Sequence, residues 1–305
     1  MKEKLTYLVL FFSLFLFKNV NGQVLSDTLT SSAPSDSVEL HIIVTTDGNQ
    51  YIGEIVYEDE EAVRMKTQNM GEIKLSRVYI SKIERINQKE MVGQEYWSEN
   101  PQATRYFWAP NGYGLKKGEG YYQNVWILFN QFAVGVTDHF SLGGGIVPAF
   151  LFAGAPTPVW ITPKVSIPVV ENKFNLGAGV LGGLVIGEEN SSFGIFYGIT
   201  TFGSRDKHIS IGLGYGFAGG QFAKLPVVNI SGMTRIGKKG YFMSENYYIP
   251  ATPSLLLLSF GGRSILNSIG LDYGLFIPIS DDIGTFVAIP WLGLTIPFGK
   301  KNRNK

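Results

Sequence analysis

From Tyr121 to Phe298, large apolar residues recur at every second position. In residues 208–218, Ile209, Ile211, Leu213, Tyr215 and Phe217 take one face, and Ser210, Gly212, Gly214 and Gly216 take the other. Residues 173–183 set Phe174, Leu176, Ala178 and Val180 against Asn175, Gly177 and Gly179. Residues 139–150 and 268–277 repeat the arrangement, the latter with Ile269, Leu271, Tyr273, Leu275 and Ile277 opposite Ser268, Gly270, Asp272 and Gly274. A period of two predicts strands. Bulky groups on one face and small or polar groups on the other predict a transmembrane antiparallel β-barrel, apolar toward lipid and small toward the lumen. A soluble sandwich would need a water-compatible second face, which glycine and serine alone supply poorly.

Polar turns punctuate this pattern at Thr137-Asp138, Glu171-Asn172, residues 204–206, residues 237–240 and residues 263–267. Tight turns of this kind belong on the periplasmic side of an outer-membrane barrel. The intervening connections, at 154–158, 187–192, 219–221, 250–253 and 280–284, then face outward. This spacing yields eleven strands from Tyr121. Because single-chain bacterial barrels favour even counts, residues 103–109 are expected to supply a twelfth, ahead of an outer loop at 110–120.

The segment before the barrel has a different chemistry. About 19 of the 63 residues in 38–100 are charged, against about 18 of the 178 in 121–298. The first is an ordinary water-facing surface; the second has too few charges to coat a soluble domain of its size. Residues 39–45, 51–57, 62–67, 72–76 and 78–86 read as five short strands joined by turns such as Asp47-Gly48-Asn49. At the start, Lys2 and Lys4 precede an apolar run from Leu5 to Phe17, with Val20 and Gly22 at a cleavage-site spacing. The expected organisation is a signal peptide at 1–22, a flexible linker at 23–37, a small β domain at 38–88, a linker at 89–101, a barrel at 102–298 and a basic tail at 299–305.

Two resemblances follow from these residues. The sequence Asp47-Gly48, Gly53, Val63, Ile73 and Ile83 resembles Sm-like or SH3-like small barrels. Residues 1–298 resemble Gram-negative outer-membrane barrel proteins that carry a small periplasmic β domain ahead of the barrel. The phrases Ala103-Thr104-Arg105-Tyr106-Phe107 and Leu115-Lys116-Lys117-Gly118-Glu119-Gly120 carry that likeness. So does the last strand, where Gly293, Ile296 and Phe298 resemble an insertion signal, although Trp291 replaces the usual polar residue and a basic tail follows. The resemblance implies location and architecture. It supplies no activity.

Chemistry is sparse. The chain has no cysteine, which excludes disulfides and thiolate metal sites, and a net charge of +1 that gives no case for a nucleic-acid protein. No catalytic signature surrounds His41, His139 or His208, each of which is expected in a surface or turn role. The expectation is therefore a non-enzyme without metal or cofactor. The in-strand charges Lys164, Arg235, Glu245, Arg263 and Asp272 are the functional candidates, because lipid-facing charge costs ~2–4 kcal/mol and they should line the lumen. They suit either a self-neutralising structural network or the lining of a narrow channel for small solutes; the alternative to a channel is a non-conducting structural or assembly protein. Expected partners are outer-membrane lipid, the outer-membrane assembly machinery and a periplasmic protein bound by the small domain, with no nucleic acid.

Overall fold

The computed structural model describes residues 39–299, apart from 68, 87–90, 93, 94, 98, 99 and 267. The signal peptide, the 23–37 linker and the tail beyond residue 299 lie outside the described residues. The chain divides into two compact units after Asn87.

The first unit is a five-stranded antiparallel sheet. It comprises β1 (Leu40–Thr45), β2 (Gln50–Glu58), β3 (Ala62–Thr67), β4 (Gly71–Ser76) and β5 (Ile80–Ile86), in the order β4-β3-β2-β1-β5. Ile43, Val63 and Met65 form its core, with Tyr51, Ile55, Ile73, Leu75, Ile80 and Ile83 packed around them. The β1–β2 turn is built by Asp47, whose carboxylate accepts from the Thr45 hydroxyl, the Asn49 amide nitrogen (2.7 Å) and the Asn49 backbone N–H (3.3 Å). Val78 was expected inside the fifth strand. It falls instead in a single 3₁₀ turn, Arg77–Tyr79, where Tyr79 turns its carbonyl to accept from Thr46 N–H at 2.8 Å.

The second unit opens with a short pair, β6 (Met91–Val92) and β7 (Glu95–Tyr96), and then forms a closed barrel. Its strands are β8 (Glu119–Val125), β9 (Phe129–Gly135), β10 (Phe140–Ile146), β11 (Thr157–Ile161), β12 (Lys164–Val170), β13 (Phe174–Ile186), β14 (Phe193–Gly203), β15 (Lys207–Ala218), β17 (Val227–Arg235), β18 (Gly240–Ile249), β19 (Leu255–Leu266), β20 (Ile269–Ile279) and β21 (Ile289–Gly299). A two-residue β16 (Gln221–Phe222) folds back onto β15, and a one-turn helix α1 (Pro148–Phe152) lies between β10 and β11. β11 and β12 both pair with β10 and with β13 and so fill one position in the wall, interrupted at Thr162-Pro163. That leaves twelve wall positions, closed by the β8–β21 and β9–β10 ladders.

The total of twelve matches the expectation, but two of its parts are corrected. Residues 103–109 form no wall strand. The missing strand arises because residues 121–135 are two strands, β8 and β9, joined through Trp126 and Ile127 with φ of 51° and 68°. Both backbones are left-handed, a conformation that normally calls for Gly, Asn or Asp, in a three-residue loop closed by the Val125–Phe129 pair. Side chains flanking the turn hold it: Asn124 accepts from Ile127 N–H at 3.1 Å, and Asn130 donates to Leu128 O at 2.9 Å. An apolar Trp-Ile pair gives no turn signal, so the alternation reads straight through it.

The barrel's outer face carries the large side chains: Ile167, Ile209, Leu213, Tyr215, Ile230, Tyr273 and Leu292 are all more than 40% exposed. No charged side chain interrupts this band. Of the charges between Tyr121 and Phe298, Lys164, Glu245, Arg263 and Asp272 are buried inside, and the others sit at the two rims.

Candidate functional site

The lumen is occupied by the chain itself. Residues 100–118 enter from the rim bearing the short turns, rise to Trp108, and return to the same rim. At the entry, Asn100 donates to Arg205 O at 3.4 Å; at the exit, Lys117 N–H donates to the Asp138 carboxylate at 3.0 Å. Between them the segment folds on itself, with Tyr106 N–H on Ala109 O (2.9 Å) and Asn111 N–H on Thr104 O (3.1 Å). Residues 110–120, expected as an outer loop, instead supply the returning arm of an internal hairpin, up to 118, and the first residues of β8. Tyr106, Phe107 and Ala109 pack against Val125, Met233, Tyr241, Met243, Ile265, Phe276 and Trp291 of the inner wall. Trp291, which looked out of place in an insertion signal, is an inward residue of this cluster.

The in-strand charges hold the hairpin. Arg263 on β19 and Asp272 on β20 are register partners, fully buried and paired in the fork geometry, Nε–Oδ1 at 2.5 Å and Nη2–Oδ2 at 2.9 Å. The remaining guanidinium donors of Arg263 reach the hairpin's carbonyls at Gln102 (2.7 Å) and Tyr106 (2.7 Å). Arg105 of the hairpin completes the arrangement, placing Nη1 3.1 Å from the second Asp272 oxygen. One carboxylate is thus shared by two guanidiniums, one from the wall and one from the hairpin. Buried ions require this degree of pairing, since an uncompensated charge costs several kcal/mol.

Glu245 on β18 grips the tip. Its carboxylate accepts the backbone N–H groups of Trp108 (2.9 Å) and Ala109 (3.0 Å) and the Tyr247 hydroxyl (2.7 Å). On the facing wall Tyr106 Oη lies 2.7 Å from Ser210 Oγ, and Gly112 N–H donates to Thr201 Oγ1 at 2.7 Å. Lys164 on β12 donates to Tyr113 O at 2.5 Å. Gln123 donates to Phe107 O at 2.9 Å and accepts from Gln131 at 2.6 Å. Wall glycines permit the close approach: a Cβ on Gly135 or Gly270 would occupy the space of Lys116 O or of the Gln102 amide.

Of the five sequence candidates, four, Lys164, Glu245, Arg263 and Asp272, therefore face the lumen and converge on one object, the hairpin. Arg235 stands apart at the short-turn rim. It pairs with Asp206 at 2.9 Å, donates to Lys238 O at 2.7 Å, and lies over the rings of Trp97 (4.9 Å) and Tyr241 (5.3 Å).

Sequence reasoning missed Arg105, Gln102, Asn111 and Tyr113. Their segment shows no period of two, and an arginine flanked by small and aromatic residues does not announce a buried ion. His208 is also corrected. It bonds to its turn but is not on the surface, being buried against the rings of Tyr106 (5.3 Å) and Tyr113 (5.7 Å). Its Nε2 accepts from Asn111 at 3.1 Å, which leaves the proton on Nδ1 to reach Ser204 O at 2.9 Å. His139 stays at its turn and His41 in the small sheet. In β21, Gly293 faces inward while Ile296 and Phe298 face outward, 39% and 47% exposed.

No family model and no curated protein matches the chain. Among solved structures it is similar to the outer-membrane expressed OmpT of Vibrio cholerae, at 10% identity and a TM-score of 0.32, over 86% of this chain and 95% of that one. A likeness of that degree adds nothing to the geometry above, which rests on the chain's own residues.

Proposed function

We propose that this protein is an outer-membrane β-barrel whose lumen is closed by its own hairpin: a non-conducting structural or assembly protein, with the small N-terminal sheet in the periplasm as its means of meeting a protein partner. The observation that carries the reading is the pinning of residues 100–118 by Arg263, Asp272 and Glu245. The outer wall supports the membrane location. Soluble monomers rarely expose apolar patches beyond a few hundred Å², and here bulky groups surround the ring while charges are confined to its rims. Stacked rings near one rim, Phe174 on Phe202 at 4.8 Å, and the Phe196–Phe217–Phe222 group toward the other fit the aromatic girdles of such barrels. Short turns on the rim that the N-terminal chain enters favour the periplasm for that side.

The narrow-channel alternative requires the hairpin to leave the lumen. A planar bilayer separates the two: the native protein is expected to be silent across voltage and pH, and steady single-channel openings would overturn the closed-barrel reading. Recovery of the mature chain as a soluble periplasmic protein, with gel migration unchanged by boiling, would overturn the membrane reading.

A further inference from the structure

Beside the hairpin the lumen is not completely filled. A cavity of about 220 Å³ lies between Trp108, Pro110 and Leu115 of the hairpin and the inner wall, from β8, β9 and β10 round through β12 to β15, β17 and β18. Its body is apolar, walled by Leu181, Ile195, Tyr197 and Val227 among others. The space exists because the inner faces of neighbouring strands carry glycine: Gly212 and Gly214 of β15 stand beside Ile199 and Tyr197 of β14 and project nothing into it. An apolar cavity of ~150 Å³ already admits benzene, so this one holds a body of comparable or somewhat greater size.

Two cations line the same cavity, Arg105 and Lys164. The charges buried inside the described barrel do not balance. Arg105, Arg263 and Lys164 are three cations against the two carboxylates of Asp272 and Glu245. Both guanidiniums contact the single carboxylate of Asp272. Glu245 takes backbone N–H groups and a tyrosine. Lys164, 7% exposed, has no carboxylate within ion-pairing distance among the described residues, and its only polar contact there is one carbonyl, at 2.5 Å. Arg105, 2% exposed, additionally leaves its Nε without a hydrogen-bond partner. Burial of a lone ammonium is unfavourable and is relieved by loss of its proton or by an anion that joins it, and an apolar pocket with a few convergent polar donors is the usual form of a small-molecule site.

We propose that the lumen carries a binding site for a small amphipathic monocarboxylate, its apolar body among Leu181, Ile195, Tyr197 and Val227 and its carboxylate at Lys164. A single negative charge cancels the one surplus positive charge. A phosphate dianion would leave a net buried negative charge, and a two-chain lipid exceeds the volume. The site goes beyond the closed-barrel reading and stands whether or not the barrel conducts.

The test uses the full mature chain in amphipol, which keeps detergent tails out of the cavity, with octanoate as probe and 1-octanol and octylamine as controls, followed by calorimetry. Saturable binding of one octanoate per chain is expected, at least tenfold tighter than octanol, with octylamine not bound. Lys164→Gln should weaken octanoate to the level of octanol while leaving octanol unchanged, and Lys164→Arg should restore most of the preference. Leu181→Trp, which fills the cavity without touching the charges, should abolish both. Gel migration before and after boiling checks that each variant is folded. Absence of saturable octanoate binding by the native chain overturns the site. Equal binding of octanoate and octanol overturns the carboxylate assignment, and this arm needs no variant to fold.

Discussion

Asp272 decides more than any other single residue. Its carboxylate joins two strands through Arg263 and joins the wall to the hairpin through Arg105, so its removal leaves two buried guanidiniums without a counter-ion. Breaking a buried pair by removing one partner costs ~3–5 kcal/mol. Asp272→Ala is therefore expected to lower the urea midpoint of the folded barrel substantially and to loosen the hairpin. Bilayer recording should then show openings absent from the native protein; a variant of native stability and native silence would mean that the ion triad does not hold the hairpin. Asp272 was legible in the sequence as a charge on a small, inward face. Arg105 was not, because burial of an ion is a property of what surrounds it, and its counter-ion Asp272 and its partner Thr295 lie more than a hundred positions away. A gentler effect operates in the small sheet. Hydrogen bonds from Thr45 and Asn49 hold Asp47 below the usual carboxylate range, and the backbone N–H groups of Ala62 and Glu61 do the same for Asp59. Groups with depressed folded values stabilise above their unfolded pKa of ~4 and lose that contribution as pH falls through the folded value. Hydrogen exchange across the β1–β2 and β2–β3 turns should accordingly accelerate only below about pH 4, and the acceleration should shrink in Asp47→Asn.

At the level of elements, alternation located nearly every wall strand, because one inward and one outward apolar side force a period of two. It failed where a turn was made of apolar residues. Ile127 is a β-branched residue in left-handed backbone and is 84% exposed, so it pays conformational strain with no packing in return. Ile127→Gly should stabilise the β8–β9 hairpin by roughly 1 kcal/mol, seen as a raised urea midpoint; a lowered midpoint would show that Ile127 makes a compensating contact with lipid. Trp126 offers no such gain, since its indole donates to Pro290 O at 2.8 Å and its ring meets Trp291 at 5.1 Å. The hairpin at 100–118 was invisible for the opposite reason. It has no outward face and hence no period, and only the two phrases singled out by resemblance pointed to it.

For the whole molecule, the change in charge density between the halves coincides with a division into two compact units. Deleting residues 38–86 while keeping the signal peptide should therefore leave a barrel that inserts and keeps its heat-modifiable migration. Failure to insert would make the small sheet part of the barrel's folding unit. The path of residues 100–118 has a further consequence. Both arms pass the same rim, so the segment sits inside the ring of the wall without running through it from one rim to the other; it is a stopper in a bottle rather than a thread through a bead. Such a stopper can be withdrawn or seated with the β8–β21 seam intact, without threading a chain end. In a chain that has no cysteine of its own, a single engineered disulfide from the returning arm to β13 or β14 would turn that freedom off and on with oxidant and reductant.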